Sequence, residues 1–183
     1  VLHLDEVEKA VSQGQVGGGG DSGTSSRVIG TLLTWMSEKT APVFVCATAN
    51  RPEVLPPEFL RKGRFDEVWA LDLPDDAGRR AIFEVHLRKR RREAAAFDLP
   101  ALAKVTAGFV GAEIEACVVA GLRRCFVEGR RELTTADLIE EARATVPLSK
   151  AAGSEIAGMQ AWAKGRARNA SGVESAPYVF FSG

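Results

Sequence analysis

The sequence predicts an α/β part followed by a helical part. Short apolar runs such as Val43–Ala49 stop abruptly at polar residues, which is typical of buried parallel strands. From Asp75 onward the apolar residues recur at helical spacing instead. We therefore expect an α/β subdomain at residues 1–74, a helical subdomain at 75–147 and a partly helical or flexible extension at 148–183.

The predicted α/β part contains three strands and two helices. Its elements in order are a strand at residues 1–6, a helix at Val7–Ser12, a glycine-rich loop at Gly14–Ser26, an amphipathic helix to about Lys39, and strands at Val43–Ala49 and Trp69–Leu73. The loop has too many glycines and too few apolar groups to hold a fixed backbone. A proline-rich connector joins the last two strands.

The predicted helical part contains four helices, at residues 75–92, 98–106, 111–128 and 134–145. Thr134–Asp137 resembles a capping box, and Pro147 closes the last of these helices. In the extension we expect one short helix around Ile156–Ala163. The apolar segment Tyr178–Phe181 has no role that the sequence indicates.

The composition excludes several classes of protein. Lys plus Arg equals Asp plus Glu at 24 each, so no net basic charge attracts nucleic acid or an anionic membrane. No apolar run reaches the roughly 18–20 residues of a membrane span. Cys46, Cys117 and Cys125 lie far apart in apolar stretches, which favours buried free thiols in a reducing compartment. We expect a cytoplasmic protein.

Three polar residues directly follow two of the predicted strands. The apolar run from Val1 ends in Asp5 and Glu6, and the second strand ends at Asn50. Because ligands of open α/β sheets bind at the carboxyl ends of strands, the three side chains would share one edge if the strands are neighbours. In a nucleotide hydrolase of this pattern the first acid holds Mg²⁺, directly or through water, and the second polarises the attacking water. A surface strand end and an ordinary loop asparagine are the alternatives.

The connector after the second strand carries two arginines, Arg61 and Arg64, with Gly63 permitting a tight turn between them. Guanidinium groups suit phosphate oxygens, so the pair could stabilise transition-state charge on a nucleotide held by a neighbouring subunit. The alternative is a surface turn with salt bridges to Glu58, Asp66 or Glu67.

Five consecutive cations, Arg88–Arg92, end the first helix of the helical part. Such a run could contact nucleic-acid phosphates. It could also be a solvated helix end, where cations suit the helix dipole. The zero net charge and the lack of interleaved aromatic residues favour the solvated helix end.

Several segments, taken in order, resemble an AAA-family ATPase from its Walker B strand through its helical lid. They are VLHLDE, RVIGTLLTWM, VFVCATAN, LPPEFLRKGRFDE, LDLPD, IFEVHLRKR and GFVGAEIEACV. LRKGRFDE is the most specific, since it is close to the family's second region of homology. The resemblance covers roughly residues 1–147 and implies the third, fourth and fifth strands of the family's parallel P-loop sheet. The tail is similar to a narrower group, the uncharacterised bacterial and plastid AAA proteins known from chloroplast reading frames.

The resemblance implies a role for each candidate residue of the α/β part. Asp5 resembles the Walker B acid that is linked to Mg²⁺, and Glu6 resembles the catalytic glutamate. Asn50 resembles the sensor 1 residue. Arg61 and Arg64 resemble arginine fingers that act on the nucleotide of a neighbouring subunit.

Three residues of the helical part are implied to lie near the nucleotide. His86 matches a family histidine near the adenosine, with an ordinary surface histidine as the alternative. Gly111 and Ala112 match small lid residues that approach the nucleotide. Gly17–Gly23 falls where the family has its second pore loop, and a linker of no special role is the alternative there.

The sequence contains no phosphate-binding loop of the GxxxxGK[ST] type, and no Gly-Lys dipeptide. In the resembling family this loop lies upstream, next to a strand between the second and third strands predicted here. The resemblance therefore implies that the chain is the C-terminal part of a longer ATPase and does not hydrolyse ATP alone. It also implies that the middle strand of the sheet is missing, which would leave backbone groups unpaired.

The function implied is ATP hydrolysis, with ATP and Mg²⁺ as cofactors, that remodels a protein client. The working form would be a homo-oligomeric ring, expected to be a hexamer, without nucleic-acid or membrane partners. The alternative is a non-catalytic adaptor or a nucleic-acid-binding module that uses Arg88–Arg92. A truncated gene product without function is a third possibility. The client is not encoded in any motif that we find.

Overall fold

A computed structural model describes residues 1–12, 22–61, 63–170 and 180–182. The chain divides into two compact units, the first made of Val1–Asp72 with Glu155–Gly183 and the second of Leu73–Ser154. Residues 13–21, which include most of the predicted glycine-rich loop and pore-loop position, lie outside the described residues, as does Tyr178. Across the described ranges, none of the helices is long and apolar enough to span a membrane.

Strands and helices are mixed at first, a run of helices follows, and two short strands come last. In chain order they are β1 (Leu2–Leu4), α1 (Val7–Ser12), α2 (Ser22–Glu38), β2 (Val45–Thr48), β3 (Glu67–Ala70), α3 (Asp76–Lys89), α4 (Leu99–Val105), α5 (Gly111–Val127), α6 (Thr135–Ala144), α7 (Leu148–Ala151), α8 (Gly153–Ala163), β4 (Arg168–Asn169) and β5 (Phe180–Ser182). Short 3₁₀ helices lie at Pro52–Val54, Pro57–Leu60 and Ala94–Ala96. The predicted α/β part followed by a helical part is confirmed.

The first unit contains a five-stranded sheet with the order β1-β2-β5-β3-β4. β1 pairs with β2 in parallel, and β3 pairs with β4 in parallel. β5 lies between β2 and β3 and runs antiparallel to both, with Phe181 opposite Ala47 on one side and Val68 on the other. The strands β1 to β4 therefore share one direction, and β5 alone opposes it.

The expected gap in the middle of the sheet is wrong for this chain, because β5 lies there. Unpaired backbone groups of a buried strand cost about 1–3 kcal/mol each. Pairing of Phe180–Ser182 with both neighbours removes that cost. The sequence did not indicate this role, and it did not indicate β4 either.

The core of the first unit lies between the sheet and helices α1 and α2. Its buried apolar residues are Val7, Ile29, Leu33, Met36, Val45, Ala47, Leu55, Phe59 and Phe65. The rings of Phe59 and Phe65, on either side of the turn that carries Arg61 and Arg64, stack with centroids 6.2 Å apart. The core therefore fixes the base of that turn.

The strands β1 and β2 are shorter than predicted, and α2 and the third strand begin earlier. α2 begins at Ser22, although the loop was expected to run through Ser26, because packing of the apolar face stabilises a first turn made of weak helix formers. The third strand was expected at Trp69–Leu73 but lies at Glu67–Ala70. The strand begins earlier in the chain than predicted because its pairing with β5 already includes Glu67.

The four helices predicted between residues 75 and 145 are confirmed as α3 to α6. The carboxylates of Asp75 and Asp98 each accept a hydrogen bond from a backbone N–H in the first turn of the helix that follows. Thr134 begins α6 with the predicted capping box, since its own N–H donates to the Asp137 carboxylate at 2.9 Å. α3 stops at Lys89 rather than at residue 92 because Arg91 adopts a φ of 55°.

The second unit is held together by an apolar core and one buried ion-pair network. The buried core residues are Phe83, Leu87, Leu102, Phe109, Ile114, Cys117, Val118, Cys125, Leu133, Leu138 and Ala142. The Asp137 carboxylate is 7% exposed and accepts hydrogen bonds from Arg131 at 2.7 and 2.8 Å and from Arg124 at 2.9 Å. These contacts tie the end of α5 to the start of α6.

The three cysteines are free thiols, as the sequence predicts. Cys117 and Cys125 are buried in the second unit, and burial raises the pKa of both thiols. Cys46 on β2 is half-buried. The two buried thiols are therefore poor nucleophiles at neutral pH.

Candidate active site

The carboxyl ends of β1 and β2 bring the two acids together with Thr48. Because the strands pair in parallel, Asp5 and Glu6 after β1 lie beside the last residue of β2. The Thr48 hydroxyl donates a hydrogen bond to Asp5 Oδ1 at 2.5 Å and accepts one from the Glu6 N–H at 2.9 Å. Glu6 has a φ of 50°, an uncommon value for a residue with a side chain. One hydroxyl thus positions both acids.

Asn50 lies at the same edge and contacts the second acid. Its side-chain N–H donates to Glu6 Oε1 at 2.8 Å. The other carboxylate oxygen of Glu6 accepts from the ammonium group of Lys9, one turn along α1. This hydrogen bond, together with the charge of Glu6, raises the pKa of Lys9. The structure therefore joins Asp5, Glu6 and Asn50 in one hydrogen-bonded cluster.

Glu8 supports this cluster through a buried hydrogen bond, and the sequence did not indicate this role. Its side chain is 4% exposed, and Oε1 accepts the backbone N–H of Asn50 at 3.0 Å. Its Oε2 is buried and accepts no hydrogen bond from a described residue. The available signal was an acid two residues beyond Glu6, at the start of a predicted helix. Thr48 carried a similar signal, since it lies two residues before Asn50.

The oxygen atoms at this edge suit a small divalent cation. Asp5 is exposed, and within the described part of the chain its Oδ2 accepts no hydrogen bond. Mg²⁺ prefers hard oxygen ligands and commonly binds proteins through one or two carboxylates, with waters and phosphate oxygens completing the octahedron. The described residues contain no cluster of three or more His, Cys, Asp or Glu side chains that could hold a metal by themselves. Asp5 is thus the residue that fits a shared magnesium ion.

The arginine-bearing connector makes a tight turn at Gly63, whose φ of 91° strongly favours glycine. Arg64 is anchored inside the connector, since it donates to the Glu58 carbonyl at 2.6 Å and to the Ser37 hydroxyl at 3.4 Å. Arg61 is exposed and makes no side-chain hydrogen bond or ion pair with any described residue. Hydrogen bonds therefore hold the side chain of Arg64 but not that of Arg61, although both belong to the same turn.

The alternative of a salt-bridged surface turn is not what the structure contains. Among the described residues, neither Arg61 nor Arg64 has a carboxylate within salt-bridge distance. Glu67 contacts Arg168 instead, at 3.2 Å. The guanidinium group of Arg61 thus remains available to another molecule.

His86 lies on α3, where it faces α5. Its Nδ1 is 3.4 Å from Glu115 Oε1, and the same carboxylate accepts from Arg90 at 2.8 Å. Glu115 has a lowered pKa, chiefly because of the hydrogen bond from Arg90, with burial opposing it. His86 is 17% exposed, so it is neither an ordinary surface histidine nor fully packed.

Gly111 and Ala112 form the first turn of α5 in the same unit. A Cβ on Gly111 would approach only Ile82, at 3.8 Å, so packing within the unit does not require glycine there. Ala112 is exposed. Glu113, which the sequence analysis missed, accepts hydrogen bonds from the N–H of Val110 at 2.8 Å and of Leu148 at 2.7 Å. The first turn of α5 is therefore held in place while its outer side stays open.

The basic run Arg88–Arg92, at and just beyond the end of α3, is largely paired with acids. Four of its five cations have a carboxylate within 4 Å, namely Arg88 with Glu84, Lys89 and Arg90 with Glu115, and Arg92 with Glu132. Groups that are already paired have less charge to offer to phosphates. This pairing favours a solvated helix end over a nucleic-acid surface.

Comparison with known proteins agrees with this arrangement. The model of the ATPase family associated with various cellular activities (AAA) matches residues 1–73, and the AAA+ lid domain model matches residues 96–140. The chain belongs to the AAA family. The first match contains the acid cluster and the arginine-bearing connector, and the second contains α5 with Gly111 and Ala112.

Relatives of this AAA chain include proteins known by their reading frame. It is 47% identical to the "Uncharacterized AAA domain-containing protein ycf46" of Pyropia yezoensis over 173 residues, which cover 93% of the chain and 35% of that protein. The namesake from Trieres chinensis is 42% identical over 93% of the chain and 34% of its own length. The chain thus spans about a third of the length of these curated relatives.

A second group of relatives of the AAA chain is named for another activity. The "ATP-dependent zinc metalloprotease FtsH 1" of Sphaerobacter thermophilus is 41% identical over 143 residues, which cover 74% of the chain and 22% of that protein. The described residues of this chain contain no His, Cys, Asp and Glu cluster that could hold a metal.

Proposed function

We propose that this chain supplies the acid, sensor and arginine-finger parts of a Mg²⁺–ATP hydrolysis site in an AAA ATPase. The observation that carries the proposal is the cluster at the ends of β1 and β2, where Asn50 contacts Glu6 and Thr48 contacts Asp5. Ligands of open α/β sheets bind at this edge. The cluster combines an exposed acid, an oriented second acid and a neutral hydrogen-bond donor.

In this proposal Glu6 is the general base. Its carboxylate can accept a proton from the water that attacks the terminal phosphate. The Asn50 amide holds one oxygen of the carboxylate and carries no charge that would repel the nucleotide. The Lys9 ammonium group holds the other oxygen from the solvent side, so Glu6 is kept in one orientation before a substrate arrives.

Asp5 would hold Mg²⁺, directly or through water, and the ion would neutralise charge on the phosphate oxygens when bound. Thr48 keeps Asp5 Oδ1 fixed, which leaves Oδ2 for the ion or its water ligands. Arg61 would act on the nucleotide of a neighbouring subunit, and Arg64 would hold the connector that presents it. His86, Gly111 and Ala112 would line the adenosine side.

The phosphate-gripping part of the site would come from a GxxxxGK[ST] loop outside these 183 residues, since none occurs within them. The working form would be a ring, expected to be a hexamer, that remodels a protein client in the cytoplasm or a plastid stroma. The adaptor alternative and the nucleic-acid alternative receive less support, because the basic run is mostly paired with carboxylates.

The test compares ATP turnover and ATP binding in the longer protein, in which these residues follow a phosphate loop. Glu6→Gln should lower kcat at least about a hundredfold, the usual contribution of a general base, while ATP binding changes by less than about threefold. Glu38→Gln, on the exposed end of α2, is the matched control and should leave both unchanged. Normal turnover in Glu6→Gln would show that Glu6 is not the base. Hydrolysis by the 183-residue chain alone would show that no external phosphate loop is needed.

A further inference from the structure

Helix α5 carries two apolar stripes, one that is buried in the core and one that is partly exposed. Ile114, Cys117, Val118, Gly121 and Cys125 follow helical spacing and are buried in the second unit. Val119, Leu122 and Phe126 follow the same spacing on another side of the helix, where Leu122 packs partly against the core and Phe126 is exposed. A helix with a second apolar side is typical of one that packs against a further molecule.

The second stripe forms the floor of an open groove, which we call the α5 groove. Its volume is about 500 Å³, and its lining residues are Arg90, Val119, Leu122, Arg123, Phe126 and Val127. Phe126 is 62% exposed and Val127 is 83% exposed. Leaving two large apolar side chains in water at the end of a helix forgoes their burial, so a stabilising contact is available to a partner.

Cations surround this apolar floor. Within the described part of the chain, Arg123 has no carboxylate within salt-bridge distance, and Arg130 stacks on the Phe126 ring at 5.1 Å without an acidic partner. Arg90, at the other end of the groove, is paired with Glu115. None of the residues that line the groove is acidic. A ligand therefore meets an apolar surface between guanidinium groups.

We propose that the α5 groove binds a helical segment of a partner protein that has an apolar face flanked by Asp or Glu. An amphipathic helix places apolar side chains at positions i, i+3, i+4 and i+7, which is the usual way to fill a shallow apolar groove. Its carboxylates would pair with Arg123 and Arg130, which lack acidic partners in the described chain. This binding role is independent of the proposed ATP hydrolysis.

Two other occupants fit the charges less well. Contact of the groove with the same face of a second copy would bring Arg123 and Arg130 against their own counterparts, and like charges repel. Nucleic acid needs a row of cations for its phosphates, whereas this floor is apolar and the neighbouring basic run is mostly paired with acids. An acidic amphipathic helix would cover the apolar floor of the groove and pair with the cations beside it.

The experiment selects peptides from a random 16-residue display library against the full 183-residue chain. We expect enrichment of sequences with apolar residues at helical spacing and with Asp or Glu beside them. A selected peptide, labelled with fluorescein, then gives Kd by fluorescence anisotropy. Phe126→Asp, Val127→Asp and Arg123→Glu should each raise Kd at least about tenfold, a loss typical of an interface hot spot.

Val85→Asp is the matched control, because Val85 is 58% exposed on α3 and does not line the groove. Its Kd should stay within about twofold of the wild-type value, and circular dichroism checks that every variant is folded. Replacing the acids of the peptide by Lys should weaken binding to the wild-type chain and restore binding to Arg123→Glu. Such charge exchange measures a direct pairing rather than a folding defect.

Several results would overturn the proposal. One is a failure of the library to enrich acidic amphipathic sequences, and another is a Kd that Phe126→Asp does not change. A third is self-association in sedimentation experiments that Phe126→Asp abolishes, which would assign the groove to a second copy. Displacement of the peptide by a 20-mer of single-stranded RNA or duplex DNA would assign it to nucleic acid.

Discussion

The side-chain amide of Asn50 donates a hydrogen bond to Glu6 Oε1 over 2.8 Å, across the boundary between two neighbouring parallel strands. The backbone of the same asparagine is fixed from the other side, since its N–H donates to the buried Glu8. A carboxylate that is meant to accept a proton from water must be held in one orientation. The Asn50 amide does this without adding a charge, and the Lys9 ammonium group holds the other oxygen.

Changing Asn50 to Asp should damage turnover more than stability. The new carboxylate would lie against Glu6, and two like charges at hydrogen-bond distance repel. Because Asn50 is exposed, we expect the free energy of unfolding to change by less than about 1 kcal/mol. In the longer protein with a phosphate loop, kcat should fall at least about tenfold. Urea unfolding measures the stability, and an ATPase assay measures kcat. A fall in kcat that is fully explained by unfolded protein would argue against a role for Asn50 in the site.

Glu8 should respond very differently to two substitutions. Glu8→Ala removes the acceptor of the Asn50 N–H and leaves a polar group unpaired, which costs about 1–3 kcal/mol. Glu8→Gln keeps that acceptor and replaces the buried, unpartnered Oε2 with an uncharged amide group, so stability should be equal or higher. Urea unfolding at pH 7 distinguishes them, with Glu38→Ala on the surface as the control. Equal losses in both Glu8 variants would contradict this account of the buried carboxylate.

Replacing Arg61 and replacing Arg64 should change the free energy of unfolding by different amounts. Arg61→Ala removes an exposed side chain without a described partner, so the free energy of unfolding should change by less than about 0.5 kcal/mol. Arg64→Ala also removes the hydrogen bond to the Glu58 carbonyl and should be measurably less stable.

In the assembled longer protein, Arg61→Ala should lower turnover about a thousandfold, the scale of an arginine finger. The loss should be confined to concentrations at which subunits associate, which a titration of protein concentration reveals. An equal loss in dilute, unassembled protein would mean that Arg61 acts within its own subunit.

Asp137 should make the second unit sensitive to acid. The hydrogen bonds from Arg131, supported by those from Thr134 and Arg124, hold the pKa of Asp137 well below its ordinary value although burial opposes them. A depressed pKa in the folded state adds stability that is fully present above the ordinary pKa of about 3.9 and is lost as the pH falls below it. Asp137→Asn should therefore cost about 3 kcal/mol at pH 7, and the difference from wild type should shrink below about pH 4.

The matched control for Asp137 is Glu140→Gln. Glu140 is 73% exposed and contacts the same Arg124 at 2.9 Å. An exposed pair of this kind contributes at most about 1 kcal/mol, so this variant should stay near wild type across the pH range. Urea unfolding between pH 2.5 and pH 7 measures both variants. A pH dependence that is identical in Asp137→Asn and wild type would contradict the assignment.

The parts of the fold that depend on neighbouring residues were predictable. Asp75, Asp98 and Thr134 cap the helices that follow them, and capping is a local property that the sequence displays. β4 and β5 were not predictable, because strands of two or three residues have almost no periodicity and their partners lie far away in the chain. The start of α2 was misjudged for a related reason, since packing of a later apolar face extends its first turn.

The candidate site divides in the same way. Asp5, Glu6 and Asn50 could be placed at one sheet edge because parallel strands end together. Thr48 and Glu8 were missed, because their hydrogen bonds span 42 or 43 positions along the chain and no short motif records such contacts. The Glu115 partner of His86 was missed too, since only the packing of α3 on α5 brings the two side chains together.

The antiparallel strand β5 fills a position between β2 and β3 that only one strand can occupy. Each edge of β2 and β3 that it covers has one set of N–H and C=O groups, and those groups can serve a single neighbour at a time. The family resemblance assigns the same place to the strand that leads into the phosphate loop. If that strand were seated here, Phe180–Ser182 would have to leave, because both would pair with the same edges of β2 and β3.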